Sequence, residues 1–153
     1  MSSRPESFDC YGDASRAAQI ADATDLPLIV DGPNARQTDV IARAVRSLER
    51  AGAAALRFED NYLGEHNAET DEVGVVPKTL MVDRIKAAVD ARIDPALVLI
   101  ARCDARCRES LGQVQERLAA YVEAGADAVG VQLSNVEEFR FIGTTASAPL
   151  VSL

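Results

Sequence analysis

Apolar positions along the chain follow two spacings, one typical of buried strands and the other of helices. Short apolar runs occupy Leu26–Val30 and Ala53–Phe58. Between them, from Val40 to Leu48, apolar residues recur three and four positions apart, as on one face of a helix. A strand, a helix and a second strand in this order predict a βαβ unit, whose two strands are parallel.

The same alternation continues along the rest of the chain. Further apolar runs lie at Leu97–Ala101, Ala128–Val131 and Pro149–Leu153, and helical spacing occurs at 13–25 with Asp13 as N-cap, at 77–92, at 109–124 and after Ser134 or Asn135. The expected fold is therefore α/β, with about five parallel strands. Two architectures fit this pattern: an open doubly wound five-stranded sheet, and a partial (β/α)8 barrel of the TIM type.

The chain length of 153 residues suits one domain with a real core. Residues 1–12 are polar and without period, which predicts a flexible N-terminal arm, and residues 13–153 are expected to form a single (β/α) domain. Residues 61–76 also lack a period and follow a predicted strand. Long loops of this kind are often lids or binding loops.

Charge and cysteine content narrow the classes of partner and compartment. The formal net charge of −8 argues against binding to nucleic acid or to an anionic membrane surface. No apolar run approaches the ~20 residues that span a bilayer, and the first residues show no secretory signal pattern. The odd count of cysteines, Cys10, Cys103 and Cys107, favours reduced thiols in a cytoplasmic protein.

Polar residues follow the predicted strands at the points where the strands end. Asp31, Glu59 and Arg102 each close an apolar run. In α/β folds the loops at the carboxyl ends of parallel strands carry the chemistry, so Asp31 and Glu59 are the first functional candidates, and Arg102 is expected on the same rim. Arg102 would either clamp a carboxylate bidentately or pair with Glu59 or Asp104.

Five segments resemble, in order and spacing, the isocitrate lyase / phosphoenolpyruvate mutase superfamily: ATDLPLIVD, RSLERAGAAALRFED, VPKTLMVDRIKAAVDAR, LIARCDAR and YVEAGADAVGVQL. The resemblance covers about residues 14–153. It implies a (β/α)8 barrel, here without counterparts of the first two strands and the eighth. It also implies Mg²⁺ and the making or breaking of C–C or P–C bonds in small 2-oxo or hydroxy acids.

The resemblance assigns roles to the strand-end residues. The superfamily's D-x-D-T-G-Y-G motif falls on residues 31–37, where Asp31 matches the first carboxylate and Pro33 replaces the second. The superfamily's E-D pair at a strand end is matched by Glu59 and Asp60. The resemblance thus implies Mg²⁺ ligands at Asp31 and Glu59, with an inherited strand end without an ion as the alternative. Arg102 matches the substrate-binding arginine of the A-R-T-D-A motif.

The superfamily's mobile catalytic loop, K-K-C-G-H in the lyases, falls on about residues 65–69. Asn67 then replaces the lyase cysteine, and His66, the one histidine of the chain, is a candidate acid or base. Both would alternatively be solvated loop residues. Gln132 replaces the lyase glutamate or mutase histidine. We therefore expect a divergent relative with weak or lost activity or, as the alternative, a non-catalytic binding or assembly module.

The expected partners follow from the same comparison. The expected ligand is a small carboxylate or 2-oxo acid. A sheet cut from a barrel leaves edge strands at Pro27–Val30 and Pro149–Leu153, and it exposes former interior residues such as Ile29 and Val98. Such edges and apolar faces usually become covered, so the chain is expected to form a homo-oligomer.

Overall fold

A computed structural model describes residues 10–61 and 74–151 of the chain. Within these ranges strands and helices alternate: α1 Cys10–Ala23, β1 Ile29–Asp31, α2 Thr38–Arg50, β2 Ala55–Glu59, α3 Lys78–Ala91, β3 Val98–Cys103, α4 Leu111–Glu123, β4 Ala128–Val131, α5 Val136–Thr145 and β5 Leu150–Val151. A single 3-10 turn, Ala105–Cys107, lies between β3 and α4. The α/β prediction is confirmed.

All strand pairs are parallel, and the strands lie in the order β1-β2-β3-β4-β5. A doubly wound sheet reverses its direction of growth at a switch point, and this sheet does not. Successive helices contact one another, from α1 with α2 to α4 with α5. This is the arrangement of a barrel wall, so the partial-barrel prediction is confirmed and the doubly wound alternative is wrong.

The main core lies between the sheet and the helices. Alternate strand residues point toward the helices, because successive side chains of a strand face opposite sides. They include Leu56, Phe58, Leu99 and Val129, which pack against Ile41, Val45, Leu48, Met81, Ile85, Val114, Leu118 and Tyr121. All of these side chains are almost fully buried. The apolar stripes predicted for α2, α3 and α4 therefore form this interface.

The other face of the sheet carries a much smaller apolar cluster. Ala55, Ile100 and Ala128 are buried there, with Val151 beside them. Near the start of the strands, however, Ile29 and Val98 are 47% and 37% exposed. Their exposure agrees with the prediction that they line the open barrel interior.

Glycine turns end two of the helices, α2 and α4, and side-chain caps begin α4 and α5. Gly52 and Gly125 follow α2 and α4 with φ values of 90° and 108°, a conformation that glycine adopts without steric cost. Ser110 caps α4 through a capping box with Gln113, and the Asn135 side chain caps α5.

Several element ends differ from the sequence prediction by a few residues, and two of these differences concern residues named above. Helix α1 begins at Cys10, so Asp13 lies in its first turn and the prediction that Asp13 is the N-cap is wrong. Strand β3 continues through Arg102 to Cys103, because these residues still pair with β4. In the part of the chain that the structure describes, no helix is both long enough and apolar enough to cross a membrane.

Candidate functional site

Glu59 and Arg102 meet at the carboxyl ends of β2 and β3. They are paired in register, so both side chains lie on the open face of the sheet. Nη1 of Arg102 donates to Oε1 of Glu59 at 3.1 Å, and its Nε donates to Oδ1 of Asp104 at 2.8 Å. Arg102 therefore pairs with both carboxylates that the sequence offered as alternatives, and the pairing fixes the direction of its guanidinium.

Asp31 lies at the end of β1, opposite Arg57 of β2 in the register. Nε of Arg57 donates to Oδ1 of Asp31 at 2.6 Å, and Nη2 of the same guanidinium lies 3.2 Å from Oε1 of Glu59. The two carboxylates proposed as metal ligands thus lie on either side of one arginine. We call the five residues Asp31, Arg57, Glu59, Arg102 and Asp104 the strand-end site.

Asn61 joins the strand-end site to the loops beside it. Its Nδ2 donates to Glu59 at 2.9 Å and to Asp104 at 2.8 Å, while its Oδ1 accepts a 3.1 Å bond from Asn34. Asn61 also forms an antiparallel bridge with Val75. One side chain therefore orients both carboxylates that hold Arg102 and ties them to the loop after β1.

Beneath this site lies Asp60, a carboxylate that is fully buried. Its Oδ1 accepts the backbone N–H of Asp104 at 2.7 Å, and its Oδ2 accepts the Tyr121 hydroxyl at 2.7 Å. The Arg117 guanidinium of α4 lies 3.6 Å from Oδ2. Burial, reinforced by the charge of Asp60, raises the pKa of Tyr121 well above its ordinary value, so the hydroxyl stays a donor.

Two further buried residues support the same strand ends. Arg84 of α3 donates to the backbone carbonyl of Ala35 at 2.8 Å and to that of Glu59 at 3.1 Å, which connects the loop after β1 to the end of β2. Cys103 is fully buried, and burial together with the charge of Asp60 raises its pKa strongly. It therefore remains a thiol rather than a nucleophilic thiolate. Cys107, in contrast, is exposed.

Four of the candidate residues lie within the part of the chain that the structure describes, and two lie outside it. Asp31, Glu59 and Arg102 lie at one end of adjacent strands. Gln132 lies just beyond β4, where its backbone N–H donates to the Cys103 carbonyl at 3.3 Å. His66 and Asn67 lie outside the described residues.

Sequence reasoning missed Arg57 and Asn61 as parts of the site, and it named Asp104 only as an alternative partner of Arg102. Arg57 had a visible signal, because it is the one charged residue within the apolar run Ala53–Phe58. Asn61 and Asp104 each lie three residues beyond the end of a predicted apolar run, but nothing in the spacing shows that they bond to each other.

The described residues do not fit a Mg²⁺ ion as they are arranged. Mg²⁺ requires near-octahedral oxygen ligands. Pro33 offers no side-chain oxygen, and both Asp31 and Glu59 are engaged by Arg57. Among the residues that the structure describes, no group of three or more His, Cys, Asp or Glu side chains is arranged to hold a metal.

Comparison with known proteins identifies close relatives. The sequence model of the phosphoenolpyruvate phosphomutase family matches residues 6–151. The 2-methylisocitrate lyase of Salmonella typhimurium is 38% identical over 137 residues, which are 88% of this chain and 46% of that protein. The 2,3-dimethylmalate lyase of Eubacterium barkeri is 36% identical over 125 residues, or 81% of this chain and 43% of that protein.

Solved structures give the same relationship. A crystal structure of 2,3-dimethylmalate lyase has a TM-score of 0.82 at 27% identity, covering 94% of this chain and 50% of that one. Phosphonopyruvate hydrolase in complex with oxalate and Mg²⁺ has a TM-score of 0.82 at 26% identity, covering 97% and 53%. The chain thus spans about half the length of the relatives it matches.

Proposed function

The chain belongs to the phosphoenolpyruvate phosphomutase family, and from this premise we propose that its strand-end site binds a small carboxylate ligand of the 2-oxo or hydroxy acid class. We also propose that turnover of such acids is weak or lost. Relatives described as lyases and hydrolases, one of them holding oxalate and Mg²⁺, support the ligand class. The departures at individual residues support the loss of turnover.

The observation that carries this proposal is the position of Arg102. It lies on the rim of the open face, partly exposed, with its guanidinium oriented by Glu59 and Asp104. A guanidinium is a planar fork that binds a carboxylate through two parallel hydrogen bonds. A ligand carboxylate would meet an oriented arginine, and little conformational freedom would be lost on binding.

Each neighbour of Arg102 has a proposed role. Glu59 and Asp104 orient the guanidinium, and Asn61 holds the two carboxylates apart. His66 and Asn67 remain proposed catalytic residues on sequence grounds alone. A magnesium ion in this chain would have Asp31 and Glu59 as its ligands. Because both of these contact Arg57, we derive no reaction step through a metal.

Weak turnover rests on the replaced groups. By the resemblance to the family motifs, Pro33 and Asn67 fall where the family has a carboxylate and the lyase cysteine. Losing a positioned acid, base or nucleophile typically lowers a rate by about 10²–10⁴-fold. The 153-residue chain is therefore expected to turn over isocitrate, methylisocitrate, oxaloacetate and phosphoenolpyruvate slowly or not at all, with or without Mg²⁺.

The test measures binding and turnover separately. Isothermal titration calorimetry with oxalate, a planar dicarboxylate, is run on the wild type, on Arg102→Met, and on Arg46→Met as a control at an exposed position of α2. We expect binding by the wild type and the control, and a loss of at least about tenfold in Arg102→Met. Equal binding by all three proteins contradicts the binding proposal. Robust Mg²⁺-dependent turnover of any of the four acids contradicts the proposed loss of activity.

A second candidate function is assembly, and the exposed start of the open sheet face supports it. Ile29, in the edge strand β1, and Val98, in β3, are apolar and partly exposed on this face. We propose that a second copy of the chain covers them. Sedimentation equilibrium is expected to show an oligomer that Ile29→Lys disrupts. Ile93→Lys, at an exposed position in the turn before β3, is the control and is expected to leave the oligomer intact. A stable wild-type monomer contradicts this proposal.

A further inference from the structure

Arg57 occupies an unusual place for a charged residue. It is the middle residue of β2, yet its side chain lies on the open face of the sheet and is only 20% exposed. Parallel pairing places it directly opposite Asp31, so its position is fixed by backbone register rather than by a mobile loop. A long side chain held in this way loses less freedom on making its contacts than one on a loop.

The guanidinium of Arg57 joins two carboxylates on different strands. Its Nε bonds Asp31 at 2.6 Å and its Nη2 lies 3.2 Å from Glu59. Because Glu59 follows Arg57 by two residues, both side chains lie on the same face of β2. One fixed positive charge therefore lies between the two carboxylates that a divalent cation would need.

The strand-end site as a whole alternates in charge. Asp31, Arg57, Glu59, Arg102 and Asp104 contact one another in this order, which gives three negative and two positive side chains. A divalent cation entering between Asp31 and Glu59 would displace one guanidinium and approach a second. Like charges at such short range repel strongly at the effective dielectric near a protein surface, so the two guanidinium groups oppose the entry of such a cation.

We propose that Arg57 takes the place of the metal in this chain, so that the strand-end site binds a small dicarboxylate through Arg57 and Arg102 without any divalent cation. The inference rests on the proposed carboxylate-binding function. It adds that this binding requires no divalent cation. Arg57 holds Asp31 and Glu59 in position, and the two guanidinium groups on either side of Glu59 donate hydrogen bonds to the ligand carboxylates. Arginine suits this role because its fork contacts several oxygens at once and stays charged at all accessible pH values.

The first test uses the wild-type protein alone. Oxalate is titrated calorimetrically in EDTA and in MgCl2, and MgCl2 is titrated without oxalate. We expect equal oxalate affinity in both buffers and no binding of Mg²⁺ at millimolar concentration. Oxalate binding that requires Mg²⁺ overturns the inference and leaves the carboxylate-binding function intact. Oxalate that binds in neither buffer overturns both.

The second test compares three variants. Arg57→Gln removes the charge, Arg57→Lys keeps it, and Arg43→Gln removes an arginine from the exposed ion pair with Asp39 on α2. In EDTA we expect Arg57→Gln to bind oxalate at least about tenfold more weakly. MgCl2 should restore part of that affinity, because Asp31 and Glu59 are then released. Arg57→Lys and Arg43→Gln should remain independent of Mg²⁺.

Far-ultraviolet circular dichroism and urea unfolding establish whether Arg57→Gln is folded before its affinity is interpreted. If it is not, Arg57→Lys serves instead. Because it keeps the positive charge at this position, its oxalate affinity should be the same in EDTA and in MgCl2. Arg57→Gln that binds oxalate like the wild type, or Arg57→Lys whose oxalate binding requires Mg²⁺, overturns the inference.

Discussion

The Tyr121 hydroxyl donates a 2.7 Å hydrogen bond to the Asp60 carboxylate, although the two residues lie 61 positions apart in the sequence. Both side chains are fully buried. The same carboxylate accepts the backbone N–H of Asp104 and lies near Arg117. Asp60 therefore fixes the ends of β2 and β3 relative to α4, and thereby the spacing between Glu59 and Arg102 above it.

Replacing this carboxylate by an amide is expected to destabilise the protein. Asp60→Asn replaces one of the two acceptor oxygens by an amide NH2 group, which faces a group that also donates. A buried donor is then left unpaired, and the pairing with Arg117 is weakened. We expect a loss of about 3 kcal/mol in the free energy of unfolding, measured by urea denaturation. Asp39→Asn, the same change at an exposed ion pair, should cost no more than about 0.5 kcal/mol. Equal losses in the two variants would contradict the role given to Asp60.

The strand-end residues were predictable for a physical reason. The carboxyl ends of parallel strands meet at one rim, so apolar runs ending at Asp31, Glu59 and Arg102 had to bring these side chains together. The order of the strands followed from the family resemblance rather than from periodicity. Periodicity gives the face of each element but not the winding of the sheet, so it left the doubly wound alternative open.

The contacts between these residues could not be predicted in the same way. Helical spacing places Tyr121 on the buried face of α4, but it does not say that its hydroxyl meets Asp60. Arg57 interrupts an apolar run, which signals a special role, yet its partner depends on the register between β1 and β2. That register is set by packing of the whole sheet, and a shift of one residue would move Arg57 to the other face.

Gly32, directly after Asp31, allows a second prediction. A Cβ at this position would lie 2.5 Å from Cε1 of Phe58, whose ring is buried in the core. Gly32→Ala is therefore expected to lower the free energy of unfolding by about 2 kcal/mol through overpacking. Gly112→Ala is the matched control, since nothing lies within 4 Å of its added methyl group in α4.

The control should change stability in the opposite direction. Alanine in place of a helical glycine reduces the freedom of the unfolded chain, so Gly112→Ala is expected to stabilise the protein by about 0.5 kcal/mol. Urea denaturation of both variants measures the difference. If Gly32→Ala is as stable as the wild type, the prediction is contradicted. The Phe58 ring would then have room to move away from the added methyl group.

The ion pair between Glu109 and Arg117 predicts how stability depends on pH. Hydrogen bonds from Arg117, at 2.7 and 2.5 Å, lower the pKa of Glu109 below its ordinary value of 4.5, and partial burial opposes this only in part. A carboxyl whose pKa is lower in the folded state contributes stability above its unfolded pKa. That contribution is lost as the pH falls from about 4.5 through the folded pKa.

We therefore expect Glu109→Gln to be less stable than the wild type at neutral pH and to approach it in acid. The difference between the two free energies of unfolding, measured by urea denaturation from neutral pH downward, should shrink once the pH falls below about 4.5. Glu116→Gln, at an exposed position of the same helix, is the control for removing a carboxylate from α4. A difference between Glu109→Gln and wild type that stays constant across this range would show that the ion pair does not contribute to folding. Arg117 would then be held by its bonds to the Val76 carbonyl and to Tyr121.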